Sequence, residues 1–391
     1  MNFVIKKTLR SLNYSRKPNK FEMAKFLYIT YRILQEKSLI TDIVRELPLS
    51  KDFIHFAKRL STFSWEKALK GKSEEEILSI RESIPTFVIQ HLKPVMRSEF
   101  LIETFHSMKH IGLNNKSYFK INYLVGNYFP IELKRQIIRD IRILGINCSE
   151  DKDLPDLYYI PSKEKKKIIE LEWYKKGFIL FQDKGSVAVV STLNPQSSDN
   201  ILEMCAAPGI KTTLIAQHSN NTARIIASDF NMKRLIQSIK IFKRSSLSNF
   251  FILNSDSIDI PLRFLEYFDK VLIDAPCTGS GTFLAHPELI WRQNEDFLRQ
   301  NSFLQTKLIN KGISLLRPNG TLVYSTCSLY PEEGELQVLN CLASMEPLEL
   351  PKWFSPSYTI NNLELKGTGR LFPSIHNTQG FFIAKFKKKE K

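Results

Sequence analysis

The second half of this 391-residue chain is predicted to form an α/β domain, a parallel sheet covered by helices on both faces. Beyond about residue 177, short apolar runs alternate with segments of helical spacing, which is typical of strands joined by crossover helices. Each apolar run ends in small or polar residues. Hydrophobic residues make up 43% and charged residues 25% of the chain, values that exclude a disordered or collagen-like protein.

Residues 1–92 are predicted to form a helical, basic region. Apolar residues recur there at helical spacing, with polar residues between them: Phe26, Ile29, Ile33, Ile54, Ala57 and Leu60. The first twenty residues carry no acidic side chain, and we interpret them as an arm that contacts phosphate groups. Its basic residues are Lys6, Lys7, Arg10, Arg16, Lys17 and Lys20.

Residues 93–176 are predicted to form a small α+β unit. We expect a strand from about Tyr118 to Leu124, a basic amphipathic helix with an apolar face from Leu133 to Ile141, and a strand from Leu157 to Ile160. On the first strand, Lys120 and Asn122 either contact RNA or are ordinary residues of a strand face, and the sequence leaves both readings open.

Residues 177–391 contain five apolar runs that we predict to be parallel strands. In an open sheet of this kind, ligands bind beyond the carboxyl ends of the strands, so the residues that follow each run are candidates for the site. The five runs are Ile201 to Met204, Arg224 to Ala227, Phe250 to Leu253, Lys270 to Ile273 and Thr321 to Tyr324.

A tight turn of small residues follows the first of these strands, and it lets backbone N–H groups approach a ligand at the start of a helix. Ile210 separates Gly209 from Lys211, so the Gly-Lys pair of a triphosphate-binding loop is absent. Asp229 ends the second strand about 20 residues later, where a carboxylate can accept hydrogen bonds from ribose hydroxyls. The sequence therefore predicts a cofactor that carries a nucleoside. The turn consists of Cys205, Ala206, Ala207, Pro208, Gly209, Ile210 and Lys211.

The chain is strongly basic, with 56 Lys and Arg against 40 Asp and Glu and a formal charge of +16. This balance favours a polyanionic partner, with nucleic acid first, although a solvated surface is the alternative. No apolar run reaches the roughly 18 residues that a membrane span needs, so we expect a cytoplasmic protein without membrane contact.

The five cysteines lie far apart in sequence and form no Cys-x-x-Cys pair, which disfavours both zinc and structural disulfides. We expect no metal. Cys277 follows the fourth strand, close to Asp274, and Cys327 follows the fifth. Each cysteine alone is most simply a small buried hydrophobe, but two thiols at equivalent strand ends beside a carboxylate favour a shared reactive pocket.

Several ordered motifs, taken together, resemble the NOL1/NOP2/Sun family of S-adenosylmethionine-dependent RNA cytosine-C5 methyltransferases, which includes the RsmB-like enzymes. The resemblance runs from about residue 177 to the end. It implies a class I, Rossmann-like methyltransferase domain preceded by a small RNA-recognition-like unit. The motifs are Gln182-Asp183 with Ser186, CAAPG at 205–209, DAPCTGSG at 274–281, His286-Pro287 with Trp291, YSTCS at 324–328 and GFFIA at 380–384.

The resemblance also implies roles for individual residues. Cys327 would be the nucleophile that adds to C6 of cytosine, and Cys277 would act in release of the product. Asp274 would contact the cytosine edge and lie near the cofactor. S-adenosyl-L-methionine would be held by the turn at 205–211, with Asp229 on the ribose; Arg234 would lie near the cofactor and Asp256 near the adenine.

The implied partner is RNA, with ribosomal RNA first and transfer RNA second, and we expect a monomer. Two alternatives remain open: a DNA cytosine-C5 methyltransferase with Cys277 as nucleophile, and a non-catalytic RNA-binding ribosome-assembly factor. The sequence departs from the family pattern at Glu203, Ile210, Asn319 and Gly334.

Overall fold

The computed structural model describes residues 51–110, 116–283, 285–339 and 342–390, together with single positions among the first fifty. Cys341 and the basic residues of the expected arm (Lys6, Lys7, Arg10, Arg16, Lys17 and Lys20) lie outside the described residues. The chain divides into two compact units, Met1–Gln90 and His91–Lys391. The finer division into 1–92, 93–176 and 177–391 stays a prediction.

The described part of the first unit is helical, in agreement with its apolar spacing. The first helix buries Phe53, Phe56, Ala57 and Leu60 on one face, and both phenylalanine rings pack against Phe26. The third helix begins with a reciprocal cap between Ser73 and Glu76, which satisfies two backbone N–H groups at the helix start. The helices are α1 (Lys51–Ser61), α2 (Trp65–Leu69), α3 (Glu74–Glu82) and α4 (Thr86–Leu92).

The second unit begins with a helix and a small antiparallel sheet with the strand order β2-β3-β1-β4. The predicted amphipathic helix packs Leu133, Ile137 and Ile141 into the core beneath this sheet. The elements are α5 (Ser98–His110), β1 (Lys116–Ile121), α6 (Pro130–Ile143), β2 (Ser149–Glu150), β3 (Leu157–Pro161), α7 (Lys165–Glu170), α8 (Glu172–Lys175) and β4 (Ile179–Phe181).

Strand β1 ends at Ile121, three residues earlier than expected, because Asn122 bonds elsewhere. The Asn122 amide nitrogen donates to the carbonyls of Gly177 at 3.1 Å and Ser245 at 3.0 Å, and its oxygen accepts from the Leu124 N–H at 3.1 Å. The side chain is fully buried. Of the two readings for Asn122, the structural one is therefore correct, because no atom of this side chain is available to RNA.

A nine-stranded sheet forms the centre of the second unit within the described residues, with the order β11-β12-β13-β9-β8-β5-β6-β7 and β10 paired to β13. The five predicted strands are β5 to β9, and neighbouring pairs among them are parallel. Strands β10 to β13 add an antiparallel edge. The strands are β5 (Asn200–Met204), β6 (Arg224–Asp229), β7 (Phe250–Asn254), β8 (Phe268–Asp274), β9 (Leu316–Thr326), β10 (Met345–Pro347), β11 (Ser355–Pro356), β12 (Thr368–Leu371) and β13 (Phe381–Lys388).

Helices cover both faces of the parallel strands, as the near-continuous apolar runs predict. Successive residues of β5 show this, because Ile201 packs with Leu214 on one face and Leu202 packs with Leu308 on the other. No helix in the described ranges is long and apolar enough to cross a membrane. The helices are α9 (Lys184–Leu193), α10 (Ile210–His218), α11 (Met232–Arg244), α12 (Glu295–Leu315), α13 (Glu335–Leu339) and α14 (Pro373–His376).

Candidate active site

The order of the parallel strands creates a crevice at their carboxyl ends. The chain runs outward from β5 through β6 to β7 on one side, and then crosses to β8 and β9 on the other. Ligands of open α/β sheets bind where the strand order reverses in this way, here between β5 and β8. The turn after β5, Asp229 at the end of β6, Asp274 at the end of β8 and Cys327 directly after β9 all lie along this edge.

The turn after β5 is fixed by hydrogen bonds to the neighbouring strand. The Ala206 N–H donates to the Ser228 carbonyl at 2.9 Å, and the Ala207 N–H donates to the Asp229 carboxylate at 3.0 Å. Gly209 caps helix α10 with a φ of +90°, and a Cβ there would lie 2.5 Å from the Phe242 ring. Glycine is therefore required at this point for both conformation and space.

Asp229 has a structural contact that the sequence did not reveal. Its carboxylate is 1% exposed, and besides Ala207 it accepts the N–H of Asn231 at 2.9 Å. Arg234 donates to the Ala207 carbonyl, and its guanidinium lies 3.9 Å from Asp229. Asp229 and Arg234 thus hold the turn from two sides.

Three carboxylates surround the thiol of Cys205 at the start of the turn. Burial raises the pKa of Cys205 to about 12, and the negative charges of Asp229, Asp274 and Asp256 add to the rise. Cys205 is therefore an unreactive thiol at neutral pH. Asp256 is itself exposed and caps a short 3-10 helix by accepting the Ile258 N–H at 3.1 Å.

Lys211 and Asp274 form an ion pair across the crevice, with Nζ 2.5 Å from Oδ2. The other Asp274 oxygen accepts from the Ser325 hydroxyl at 2.9 Å. Burial alone would lower the pKa of Lys211, but the charges of Asp274, Glu203 and Cys327 outweigh burial, and the net direction is upward. The site therefore contains a fixed positive charge close to both Asp274 and Cys327.

The two cysteines that the sequence singled out meet at the end of strands β8 and β9. Their sulfur atoms lie 3.2 Å apart although the residues are 50 positions apart in sequence, and both are free thiols. The hydrogen bond to Cys327 and burial raise the pKa of Cys277 well above its ordinary value. Cys277 thus retains its proton at neutral pH and can donate it to the Cys327 sulfur.

Glu333 is a buried group beneath the cysteines that sequence reasoning missed. From the sequence alone, its place after Pro331 and Glu332 predicts only the start of a helix. Instead its carboxylate accepts the Thr278 N–H at 2.9 Å and the Gln305 amide at 3.0 Å, and burial raises its pKa. Gln305 also donates to the Pro276 carbonyl at 2.8 Å, so this pair fixes the residues on both sides of Cys277. The only sign of this role in the sequence was that Glu333 lies six positions after Cys327.

Two of the departures from the family pattern have a local explanation. Asn319 occupies a glycine position with a φ of +63°, a conformation that asparagine tolerates better than most residues. Glu203 is buried in β5 and accepts the Thr212 hydroxyl at 2.6 Å; burial raises its pKa to about 8. The longer side chain is thus accommodated in the core by its hydrogen bond with Thr212. Ile210 begins helix α10 directly after Gly209.

The arrangement as a whole supplies the groups for nucleophilic chemistry on a ring. Two thiols, a carboxylate and a largely buried ammonium group converge at one strand edge. Thiol nucleophiles need such surroundings, because only the thiolate attacks and nearby positive charge favours it.

A family model described as 16S rRNA methyltransferase RsmB/F matches residues 190–387. A probable ribosomal RNA small subunit methyltransferase B of Synechocystis is 35% identical over 227 residues, covering 56% of this chain and 50% of the relative. A tRNA (cytosine(72)-C(5))-methyltransferase of Pyrococcus horikoshii is 35% identical over 231 residues, covering 59% of this chain and 57% of the relative. The chain thus spans about half the length of these curated relatives.

The structure of a methyltransferase homolog protein from Pyrococcus horikoshii superposes with a TM-score of 0.67 at 29% identity, covering 79% of this chain and 97% of the other. The Rossmann-like methyltransferase fold predicted for the second half is therefore confirmed. The family model extends over just over half of the chain and includes all the strand ends described above. This protein therefore belongs to the RsmB/F family of 16S rRNA methyltransferases.

Proposed function

We propose that this protein transfers a methyl group from S-adenosyl-L-methionine to C5 of a cytosine in RNA. The observation that carries the proposal is the 3.2 Å contact between Cys277 and Cys327 beside Asp274. Cytosine C5 is a poor nucleophile, and a sulfur adduct at C6 is one way to activate it. A second thiol within reach of the first then serves the release step.

The crevice has the donor and acceptor groups that suit this cofactor. Carboxylates at the ends of β6, β7 and β8 surround the turn at 205–211, and they complement ribose hydroxyls and the positive charges of an amino acid ammonium and a sulfonium. Asp229 is assigned to the ribose, Asp256 to the adenine side, and Arg234 to holding the turn. When bound, the cofactor supplies an electrophilic methyl group on sulfur.

The residues of the chain perform the remaining steps. Cys327 adds to C6 as a thiolate, and the ring electrons make C5 nucleophilic while Asp274 holds the cytosine edge. After C5 is methylated, a base removes its proton, and the electron pair restores the C5–C6 double bond. The C6–S bond breaks and its electron pair returns to Cys327. We assign this release to Cys277, which first passes its own proton to solvent and then accepts the C5 proton; its raised pKa makes the thiolate a strong base.

The substrate is RNA in this proposal, with ribosomal RNA first and transfer RNA second. The +16 charge suits a polyanion, and the two relatives described above are named for these two RNA classes. The target cytosine must leave its stack to reach Cys327, so an unpaired segment is expected. We expect a cytoplasmic protein because the two free thiols require a reducing compartment.

We expect methyl transfer to RNA and none to DNA when the protein is incubated with radiolabelled cofactor. Ribosomal RNA, transfer RNA and duplex DNA are tested separately, and bisulfite sequencing locates the modified cytosine. Bisulfite sequencing of total RNA from a deletion strain and its parent then identifies the natural site. Transfer to DNA alone would establish the DNA alternative, and no transfer to any nucleic acid would favour an assembly factor.

Removal of the charge at Asp229 is expected to weaken cofactor binding. In Asp229→Asn, one strong acceptor for the ribose hydroxyls is lost, and the single remaining side-chain oxygen can keep the Ala207 N–H while the Asn231 N–H loses its acceptor. Calorimetry with S-adenosylhomocysteine should show a loss of affinity of roughly tenfold to a hundredfold, the value of a hydrogen bond to a charged group. Asp259→Asn, an exposed carboxylate near the same sheet edge, is the matched control. If Asp229→Asn binds S-adenosylhomocysteine as tightly as Asp259→Asn does, the assignment of Asp229 to the ribose is wrong.

A further inference from the structure

A cavity of about 460 Å³ lies beside the cysteine pair, between the small sheet and the glycine-rich loop at 279–281. Among the described residues that line it, none is Cys277, Cys327, Asp274 or Lys211. The cavity is nevertheless adjacent to the nucleophile, because the Gly281 N–H on its wall donates to the Cys327 carbonyl at 3.0 Å. Its volume is within the range of small-molecule and nucleotide sites.

Gln182 lines this cavity, and its buried carboxamide has no hydrogen-bond partner among the described residues. The residue follows β4 and is 8% exposed, and its backbone N–H is fixed on the Tyr118 carbonyl at 3.0 Å. Neither the nitrogen nor the oxygen of its carboxamide has a partner among the described residues. Buried amides are almost always satisfied, because an unsatisfied one destabilises the fold. A carboxamide left in this state on a cavity wall points to a ligand.

The other groups of the cavity identify the chemistry of that ligand. Lys116 and Lys165 supply two positive charges, and the Lys165 ammonium lies 4.8 Å from the centre of the Phe181 ring, which also lines the cavity. Asp183 lines it as well, but its carboxylate already accepts the Gly185 N–H at 2.8 Å and the Thr378 hydroxyl at 3.0 Å. Lysines, an aromatic face and a free carboxamide are the groups that bind an unpaired nucleotide through its phosphate, ring and base edge.

We propose that this cavity holds an RNA nucleotide that neighbours the target cytosine, and that Gln182 reads its base. The inference rests on the proposed function. One donor and one acceptor of the carboxamide match a base edge that presents the complementary pair, and adenine is the base that a glutamine contacts at N6 and N7. Lys116 and Lys165 bind the adjoining phosphate. Gln182 therefore determines sequence preference next to the methylated position, and Cys327 performs the chemistry.

The test uses RNA oligonucleotides that carry each of the four bases in turn at the positions flanking the target cytosine. Wild-type protein should show a preference of roughly tenfold in kcat/KM for one base, with adenine expected, at one flanking position. Gln182→Leu has a similar volume and no hydrogen-bonding groups, so it should reduce the preference to less than about twofold. Gln300→Leu, which changes an exposed glutamine on α12, should leave the preference unchanged.

A stability measurement distinguishes recognition of a base by Gln182 from a structural role of this residue. Because the carboxamide has no partner among the residues that the structure describes, Gln182→Leu should unfold at the same temperature as wild type or at a higher one. Lys165→Ala should raise KM for RNA several-fold, whereas Lys166→Ala, on the same helix but outside the cavity, should have little effect.

Three outcomes would overturn the inference. They are a wild-type enzyme with no flanking preference, a Gln182→Leu protein that keeps the preference, and a Gln182→Leu protein that is clearly less stable than wild type. If wild type methylates no RNA at all, the proposed function itself fails, and the two failures are therefore distinguishable.

Discussion

A Cys277→Ala protein supplied with substrate RNA and S-adenosylmethionine is expected to accumulate a denaturation-resistant protein–RNA complex. Cys327 remains able to add to C6, because its sulfur does not depend on Cys277 for bond formation. Release then stops, because the group 3.2 Å away that completes it is missing. The complex should appear as a slow band on a denaturing gel and should disappear after RNase treatment.

The matched variants give a clear pattern of results. Cys327→Ala should abolish both methylation and the band, and a Cys277→Ala, Cys327→Ala protein should also lack the band. Removal of either cysteine should reduce turnover by at least about a hundredfold, the usual size of a general acid–base contribution. Cys148→Ala removes a buried thiol from the core beneath the small sheet and serves as the control with wild-type turnover and no band. A band with Cys327→Ala and not with Cys277→Ala would reverse the roles and favour the nucleophile of DNA methyltransferases.

The second prediction with a large expected effect concerns the free energy of unfolding. It depends on a buried ion pair close to the segment that carries Cys327. Arg370 on β12 and Glu335 at the start of α13 are both 0% exposed and form two hydrogen bonds, Nη2 to Oε2 at 2.6 Å and Nε to Oε1 at 2.8 Å. Arg370 also donates to the carbonyl of Ser328, the residue that follows Cys327, at 3.0 Å. The pair therefore links strand β12 to the segment that carries Cys327.

Glu335→Ala is expected to lower the free energy of unfolding by about 3–5 kcal/mol, because it leaves the Arg370 guanidinium buried without a countercharge. Urea unfolding of the full chain measures this. Glu335→Leu combined with Arg370→Met should recover part of the loss, since it removes the buried charge, but the Ser328 carbonyl and the Tyr358 N–H then lose a partner. Glu172→Ala, which breaks an exposed pair with Lys175, is the control and should leave the unfolding midpoint nearly unchanged. A small loss for Glu335→Ala would mean that water or another group compensates Arg370.

Much of the fold was predictable because the signals are local. Apolar runs of strand length, such as Lys270 to Ile273, alternate with helical spacing, and this pattern predicts parallel strands without knowledge of their order. The small antiparallel sheet was predicted less well, because β1 stops where Asn122 bonds to Gly177 and Ser245. Those partners lie 55 and 123 positions away in the sequence, so no local pattern contains them.

The residues of the candidate site could also be predicted from local signals, whereas the contacts between them could not. Polar and small residues at strand ends made Asp229, Asp274, Cys277 and Cys327 visible as candidates, since the carboxyl ends of parallel strands share one edge. The sequence did not show the distances or hydrogen bonds between these residues. The hydrogen bond from Ala207 to Asp229 and the distance between the two sulfur atoms depend on how distant segments pack.

By itself, therefore, the sequence determined the parallel α/β domain, the order of chemical groups along it and the edge at which they gather. Only the tertiary structure decided that Glu333 supports the loop of Cys277, that Asn122 is structural, and that Gln182 lines a cavity with a carboxamide unpaired among the described residues. The physical reason is that alternation of apolar residues encodes which face of a strand or helix is buried. The hydrogen bonds of a buried polar group are set by whichever segments fold against it, and these can come from any part of the chain.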